Sequence, residues 1–357
     1  GAYLLIHYSS EARGYAPAVA MGLLAYYAYL RNEQTRSIGW SVLCSGALIV
    51  GLLAHLAVVQ VMLSLAALGV VRLYTGTESW RARLRGFAGI HLPVWLFLAA
   101  YYFGFVRKMQ IGGGPENPLR GVLSETAAYV LGFPVSEGGI ALIVCLSIIL
   151  TGLLLIWRRD RSSVLFYGLV IGVTPFVGIL FSKFTLLFPR YFIVSAAFAL
   201  PVFAYGLSRI WWRGWWGRIV TVCVLGLFLI GNALHLDGLL IEGRGHYREA
   251  LNTLAKRTPF PDVTLSSDHD FRNYALVDYY QKIAAPEKRM IYYPVDRIPS
   301  FGTQWRLLHR INGADAFPNS VKDPLGNFYV RERIYPCVGL SGWSWAVYRN
   351  MQLEPLD

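Results

Sequence analysis

Eight apolar runs dominate the sequence, and each is 17–19 residues long. A helix needs about 20 apolar residues to cross the hydrocarbon core of a bilayer, with a working range of roughly 17–25. Only 15% of the 357 residues are charged, against about 25% in average soluble domains. The runs therefore predict a polytopic α-helical membrane domain over residues 1–236, with spans at 14–30, 38–54, 56–73, 87–105, 139–157, 164–182, 191–208 and 219–236.

Arginine clusters between the runs predict the number of spans and their orientation. Twelve arginines fall within the segments 31–36, 72–85, 158–161 and 209–218. These segments share one side of a membrane only if the long run 38–73 is split into two spans at His55. Because cytoplasmic loops carry the excess of Lys and Arg, we expect that side to be cytoplasmic. The segments that then face outward are 1–13, 106–138, 183–190 and 237–357.

Residues 237–357 have a different composition, with 15 Lys and Arg against 14 Asp and Glu, whereas the first 236 residues carry 18 against 7. Periodicity and turn residues predict a mixed α/β domain here, on the extracytoplasmic side. The predicted helices are 246–257 and 271–283. The predicted strands are 262–266, 290–293, 328–334 and 343–348.

Composition also argues against several kinds of partner. The basic residues lie in short clusters between apolar runs, so we expect no nucleic acid. The four cysteines show no CxxC or Cys/His ligand spacing, which gives zinc and redox chemistry no support. Asp268-His269-Asp270 has the residue types of a metal site, but Asp is favoured at a helix N-cap, and capping is the stronger interpretation.

A polar patch, His7-Tyr8-Ser9-Ser10-Glu11-Ala12-Arg13-Gly14-Tyr15, lies where the first run enters the membrane on the outward side. Charge at that depth is costly unless it is paired or functional. Arg13 snorkelling to head groups and Glu11 capping a helix are one interpretation. Binding of a phosphate or a sugar hydroxyl by Glu11 and Arg13 is the other.

A second outward patch runs from Lys183 to Tyr191 and includes Pro189 and Arg190. An arginine fork can hold a phosphate bidentately, and a lysine can act as a point charge. Interfacial anchoring of Lys183 and Arg190 is the competing interpretation.

Two histidines and one loop complete the set of candidates. His55 lies at an outward turn and could approach a substrate, whereas His91 is expected to be a satisfied polar group facing the bundle. The loop 106–138 contains Gly112-Gly113-Gly114-Pro115 and a predicted short surface helix near 119–131. It lacks the strand-then-helix setting of a nucleotide-binding loop.

The order of these features resembles the GT-C fold membrane glycosyltransferases that use polyprenyl-phosphate sugars. The nearest group is the protein-mannosyltransferase and aminoarabinose-transferase-like one. HYSSEARGY (7–15) is similar to the family's Tyr-Ser-x-Glu-Ala-Arg-x-Tyr segment, GLLAHLAVV (51–59) to its glycine-to-histidine hairpin, and Pro189-Arg190-Tyr191 to its Pro-Arg-Tyr start of a late span. Tyr247-Arg248-Glu249-Ala250 and Tyr279-Tyr280 extend the resemblance into the tail.

The resemblance implies an inverting glycosyltransferase of the bacterial inner or plasma membrane. It would move a sugar from a polyprenyl-phosphate carrier to a lipid, glycan or protein acceptor on the outer face. The residues implied to bind the lipid phosphate and substrate are Tyr8, Arg13, Tyr15, His55, Lys183, Arg190 and Tyr191. No cofactor is obligatory, and a divalent cation stays open.

In that family the catalytic carboxylate lies in a loop upstream of the HYSSEARGY-like segment, so we expect the base upstream of Gly1. Glu11 is the nearest outward carboxylate within the chain. The opening residues Gly-Ala-Tyr-Leu-Leu-Ile resemble the last turn of an earlier span, so the chain is expected to be an N-terminally truncated fragment. A transporter or lipid flippase is the alternative function, although the predicted spans carry few charges and no internal repeat. A non-catalytic membrane scaffold is a third.

Overall fold

The structure is a computed structural model that describes residues 2–11, 14–109, 117–180, 187–243, 245–310, 317–337, 340 and 343–353. Residues 178–180 and 242 are described in their backbone only. The contacts within the chain divide it into two units, Gly1–His235 and Leu236–Asp357.

Helices form the first unit. Seven of the predicted spans fall on helical segments, whereas 164–182 covers three consecutive helical elements and extends beyond the described residues. The α-helices are α1 (Tyr3–Ser9), α2 (Tyr15–Thr35), α3 (Ile38–Ala54), α4 (Val59–Thr75), α5 (Trp80–Gly104), α6 (Leu119–Leu131), α7 (Gly138–Trp157), α8 (Arg161–Gly168), α9 (Thr174–Leu180), α10 (Ile193–Trp211) and α11 (Trp215–Glu242). A π-helical turn, Leu169–Val173, joins α8 to α9. Short 3-10 helices are Leu56–Val58, Val106–Lys108, Val135–Glu137 and Pro189–Phe192.

Five helices among the described residues are long and apolar enough to cross a membrane, which indicates a membrane protein. They are Leu56–Thr75, Trp80–Lys108, Val135–Trp157, Pro189–Trp211 and Trp215–Ile241. The predicted eight spans include three helices outside this set. The apolar helices Ile38–Ala54 and Arg161–Val177 are shorter, and α2 is rich in tyrosine and ends in polar residues. In Val135–Trp157 only 17% of the most apolar window is buried inside the protein, so most of its apolar surface is available to lipid.

The long apolar run 38–73 is interrupted at His55, where the backbone is extended between α3 and the 3-10 turn Leu56–Val58. The Nδ1 atom of His55 accepts a hydrogen bond from the backbone amide of Ala57, at 3.0 Å. The histidine therefore caps the helical turn that follows it, which gives the break a local physical cause.

Helix α6 has the predicted bounds, but it is more buried than predicted. The sequence suggests a surface helix, whereas six of its residues are buried, namely Val122, Thr126, Ala127, Ala128, Val130 and Leu131. The helix ends at Gly132, which has a φ of +80°. A Cβ built on Gly231 of α11 would lie 2.0 Å from the Gly132 carbonyl oxygen. The turn after α6 thus lies directly against α11, and the expectation of a surface position is wrong.

The second unit is a six-stranded mixed sheet with two helices. It contains α12 (Tyr247–Arg257), β1 (Asp262–Ser267), α13 (Asp270–Ala284), β2 (Arg289–Tyr292), β3 (Trp305–Arg310), β4 (Ser320–Lys322), β5 (Phe328–Tyr335) and β6 (Ser344–Asn350). The strand order is β2-β1-β3-β6-β5-β4. The β1 strand pairs in parallel with β2 and β3, and the other pairings are antiparallel.

Apolar clusters cover both faces of this sheet. Residues of α12 and α13, such as Leu251 and Val277, pack with Leu307 and Val347 on one face. On the other face Leu308 packs in a second cluster, which also contains Phe317, Tyr329, Ala346 and Tyr348. The mixed α/β prediction is therefore confirmed in outline, although it lacked β3 and β4.

Candidate functional site

Several predicted site residues come together where α1, α2 and α3 meet the 3-10 helix Pro189–Phe192, which we call the Arg190 turn. The rings of Tyr8 and Tyr15 have centroids 5.2 Å apart, and those of Tyr15 and His55 are 4.4 Å apart. Tyr8 and Tyr15 are buried, and His55 is half-buried. We call Tyr8, Tyr15, His55 and Arg190 the Arg190 cluster.

Gly14 allows this arrangement, because it forms the turn from α1 into α2 with a φ of +73°. A Cβ at this position would lie 2.1 Å from the carbonyl oxygen of Ala54, the last residue of α3. Only glycine combines the left-handed backbone with so close an approach. The contact brings Tyr15, which follows Gly14, beside His55, which follows Ala54.

Arg190 is half-buried in the 3-10 turn Pro189–Phe192. Its guanidinium carbon lies 4.2 Å from the ring centroid of Phe188 and 5.6 Å from that of Tyr191. Arginine stacks on aromatic faces and keeps its in-plane N–H donors available. Within the described residues the contacts of this guanidinium are with rings rather than with a carboxylate.

The charge of Arg190 acts on two other members of the cluster. Burial lowers the pKa of His55, and the positive charge of Arg190 lowers it further. Burial raises the pKa of the Tyr8 phenol, and the same positive charge opposes that rise. Since Nδ1 of His55 accepts from Ala57, the hydrogen of the neutral ring lies on Nε2, which can donate to a ligand. The Tyr8 hydroxyl is fully buried with no hydrogen-bond partner in the part of the chain that the structure describes.

Two carboxylates adjoin the cluster. Glu11 Oε1 lies 3.4 Å from Nε2 of the buried His7. Glu125, on α6, is partly buried, and that burial raises its pKa. Both carboxylates raise the pKa of Tyr8 through their charge.

Glu125 was not among the predicted site residues. It stands three residues after Val122 and four before Tyr129, on the face of α6 that is buried, so helical periodicity could have identified it. Val122 packs with Leu187 and Phe192, and this contact brings α6 beside the Arg190 turn.

Gln60 was also absent from the predicted site residues, and it positions the Arg190 turn. Its side-chain amide donates to the backbone carbonyl of Tyr191 with an Nε2–O distance of 2.9 Å. The Ser195 hydroxyl lies 3.5 Å from Gln60 Oε1 and donates to the carbonyl of Val170 at 3.1 Å. No local motif identifies Gln60 as a site residue, because its hydrogen-bond partner, Tyr191, is 131 residues away in sequence.

The structure thus brings together Tyr8, Tyr15, His55 and Arg190, with Tyr191 adjoining them. Glu11 contacts His7. Arg13 and Lys183 lie outside the described residues, as does the Gly112-Gly113-Gly114-Pro115 turn.

Metal binding gains no support from the described residues, where no group of three His, Cys, Asp or Glu side chains is placed to hold an ion. In the second unit, Asp268 accepts hydrogen bonds from the backbone amide of His309 and from Arg310. Asp270 accepts from the Tyr292 hydroxyl at 2.7 Å. The predicted capping by these carboxylates is wrong, because the N-cap of α13 is His269, which makes no side-chain cap bond.

His91 also departs from expectation. It is buried in α5, but neither ring nitrogen has a hydrogen-bond partner among the described residues, so it is not the satisfied polar group that the sequence suggests.

Comparison of the chain with protein-family models and with curated protein sequences found no match.

Proposed function

We propose that the Arg190 cluster binds the phosphate of a polyprenyl-phosphate sugar on the outer face of the membrane, and that the protein transfers that sugar to an acceptor hydroxyl. One observation carries the proposal: a guanidinium that lies against the rings of Phe188 and Tyr191 acts through its charge on His55 and on the buried Tyr8 hydroxyl, which has no hydrogen-bond partner among the described residues.

The position of the cluster suits a lipid-borne anion. Tyr15 begins α2, and His55 lies between α3 and the apolar helix Leu56–Thr75. Arg190 begins the apolar helix Pro189–Trp211. Residues at the ends of apolar helices lie at head-group depth, where a polyprenyl phosphate keeps its anion while its tail stays in hydrocarbon.

The chemistry needs a stabilised leaving group. As the bond between the sugar carbon and the phosphate oxygen breaks, the bonding pair leaves with the phosphate, and a preorganised guanidinium offsets the growing negative charge. Tyr8 and His55 can donate hydrogen bonds to the same oxygens. Orientation of donor and acceptor supplies a further part of the acceleration.

A carboxylate must take the proton of the acceptor hydroxyl as the new glycosidic bond forms. The resemblance places that base upstream of Gly1. Within the described residues, Glu125 is the better candidate beside Tyr8, because burial raises its pKa and a carboxylate with a raised pKa is a stronger proton acceptor. Attack from the face opposite the phosphate gives inversion.

The test compares Arg190→Gln with Arg209→Gln in the full chain, using polyprenyl phosphate in lipid nanodiscs as the probe. Arg209 is exposed on the last turns of α10, which makes it a matched control. A hydrogen bond to a charged group contributes about 1.5–3 kcal/mol, so Arg190→Gln is expected to weaken binding by about 10- to 100-fold. Arg209→Gln should bind as the wild type does.

Release of sugar from a labelled polyprenyl-phosphate donor tests the transfer step. Loss of release in Glu125→Gln with donor binding retained would support the base assignment. Unchanged donor binding in Arg190→Gln would refute the proposed phosphate site.

A further inference from the structure

A pocket lies at the opposite end of α2 from the Arg190 cluster. It has a volume of about 300 Å³ and is formed by the last turns of α2 and α4 and the first turns of α5. The residues that give it its chemistry are Glu33, Arg36, Arg72, Glu78, Arg83 and His91. We call it the arginine pocket. With a rise of about 1.5 Å per residue, the 21 residues of α2 separate the two sites by roughly 30 Å.

His91 forms part of the pocket wall and is only 1% exposed. Among the residues described, neither its Nδ1 nor its Nε2 has a hydrogen-bond partner. Burying a polar group without a partner is costly, and such groups commonly face a ligand or water.

Gly69 of α4 lines the pocket and lies close against His91. A Cβ built on it would lie 3.1 Å from His91 Nε2 and 2.8 Å from the Phe87 ring. A side chain at position 69 would press against the Phe87 ring and the His91 imidazole and would narrow the pocket between them.

The charges of the pocket favour an anion. Glu33 pairs with Arg36 and Arg72, and Glu78 also pairs with Arg36. Arg83 instead donates to the backbone carbonyl of Leu73, so the three guanidinium groups outnumber the two carboxylates.

Two of these guanidinium groups each have one nitrogen without a hydrogen-bond partner among the described residues. The Nε atoms of Arg72 and Arg83 are buried without partners in the described ranges. The side chains of Arg72, Arg83 and His91 all line the pocket, and arginine donors match the geometry of phosphate oxygens.

The depth of the pocket indicates where that phosphate comes from. Residues 76–79 join the apolar helices Leu56–Thr75 and Trp80–Lys108. Tyr74 and Trp80 flank this link, are 77% and 47% exposed, and have ring centroids 6.1 Å apart. Exposed Trp and Tyr at the ends of spans are typical of the head-group level of a bilayer.

We propose that the arginine pocket is a second phosphate site, one that holds the phosphate head group of an anionic membrane lipid. The lipid tails would lie along the exposed apolar surface of α4 and α5, where Val70, Val71 and Leu84 are more than two-fifths exposed. This site does not depend on the function proposed for the Arg190 cluster.

The experiment measures lipid retained by the full chain, by native mass spectrometry after extraction from nanodiscs containing phosphatidylglycerol and phosphatidylcholine. We compare Arg83→Gln with Arg81→Gln, since Arg81 is exposed on the same helix and lies outside the pocket. Preferential retention of phosphatidylglycerol should fall by about tenfold in Arg83→Gln, the scale of one lost charged hydrogen bond. It should be unchanged in Arg81→Gln.

Gly69→Ala gives a second readout, because it keeps every charge while narrowing the pocket, and it should also reduce retention. Thermal unfolding of each variant checks that it is folded. Binding of inorganic phosphate that Arg83→Gln abolishes, without preference for phosphatidylglycerol, would overturn the lipid source and assign a soluble phosphate ester. Equal retention in the wild type, Arg83→Gln and Arg81→Gln would overturn the site itself.

Discussion

Replacing Gly14 by alanine should disrupt the Arg190 cluster without touching any residue that contacts the ligand. The added Cβ would lie 2.1 Å from the carbonyl oxygen of Ala54, whereas a carbon and an oxygen in close contact are about 3.3 Å apart. The end of α3 must therefore move by about 1 Å. His55 follows Ala54 directly, so it moves away from Tyr15, whose ring is 4.4 Å from it.

Two terms set the magnitude. The left-handed backbone at Gly14, with a φ of +73°, costs a residue with a Cβ about 1–2 kcal/mol. Displacing a packed neighbour costs about 1–3 kcal/mol more. We therefore expect Gly14→Ala to lower the free energy of unfolding by about 2–5 kcal/mol. Donor binding should weaken, because a shift of about 1 Å in a positioned group has large effects on activity.

The assay combines thermal unfolding in detergent with binding of polyprenyl phosphate. Gly46→Ala is the matched control, since Gly46 lies within α3 and a Cβ there meets nothing within 4 Å. The control should keep the wild-type affinity without a lower melting temperature, since alanine is favoured over glycine within a helix, and Gly14→Ala should lower both. If the two variants were equally stable and bound donor equally well, the close approach of Gly14 to Ala54 would not hold the cluster together.

Two further perturbations test other parts of the protein. Gln60→Leu removes the hydrogen bond to the Tyr191 carbonyl and should weaken donor binding about three- to tenfold, the scale of one neutral hydrogen bond; an unchanged affinity would show that the Arg190 turn is held by other contacts. In the second unit, burial alone would raise the pKa of Asp268, but the hydrogen bonds and charge of His309 and the bond from Arg310 outweigh it and lower the pKa. Because the folded state then binds the proton less tightly than the unfolded state, this stabilisation is present above the usual Asp pKa of about 4 and is lost as the pH falls below it. Asp268→Asn should therefore flatten the fall in unfolding midpoint below about pH 4, and an equal fall in both proteins would contradict the assignment.

The strand β3 shows one limit of prediction from local pattern. Five of its six residues are buried, from Trp305 to His309. However, Arg306, His309 and Arg310 interrupt its apolar residues, so the sequence shows no apolar run that would predict a buried strand. The strand lies between β1 and β6 with both faces covered. Arg306 donates to Ser266 and His309 pairs with Asp268, so the partners that make its burial tolerable come from elsewhere in the chain.

The two proposed phosphate sites show a related limit. The local sequence around Tyr8 and Arg190 makes both residues candidates, but no local pattern indicates that the charge of Glu125 acts on Tyr8. The sequence also predicts a hydrogen-bonded His91, whereas neither of its ring nitrogens has a partner among the described residues.

The apolar helices of this protein follow from its sequence, because the apolar composition of each run is a local property. Their ends follow less closely, since α5 begins at Trp80 and α11 ends at Glu242, outside the predicted runs. The mixed α/β character of the tail follows for the same reason, but β3 and β4 do not. Which charges face one another was decided only by tertiary packing, since a hydrogen bond or an electric field depends on distance in space, and Gln60 and Tyr191 become neighbours across 131 residues only after the helices pack.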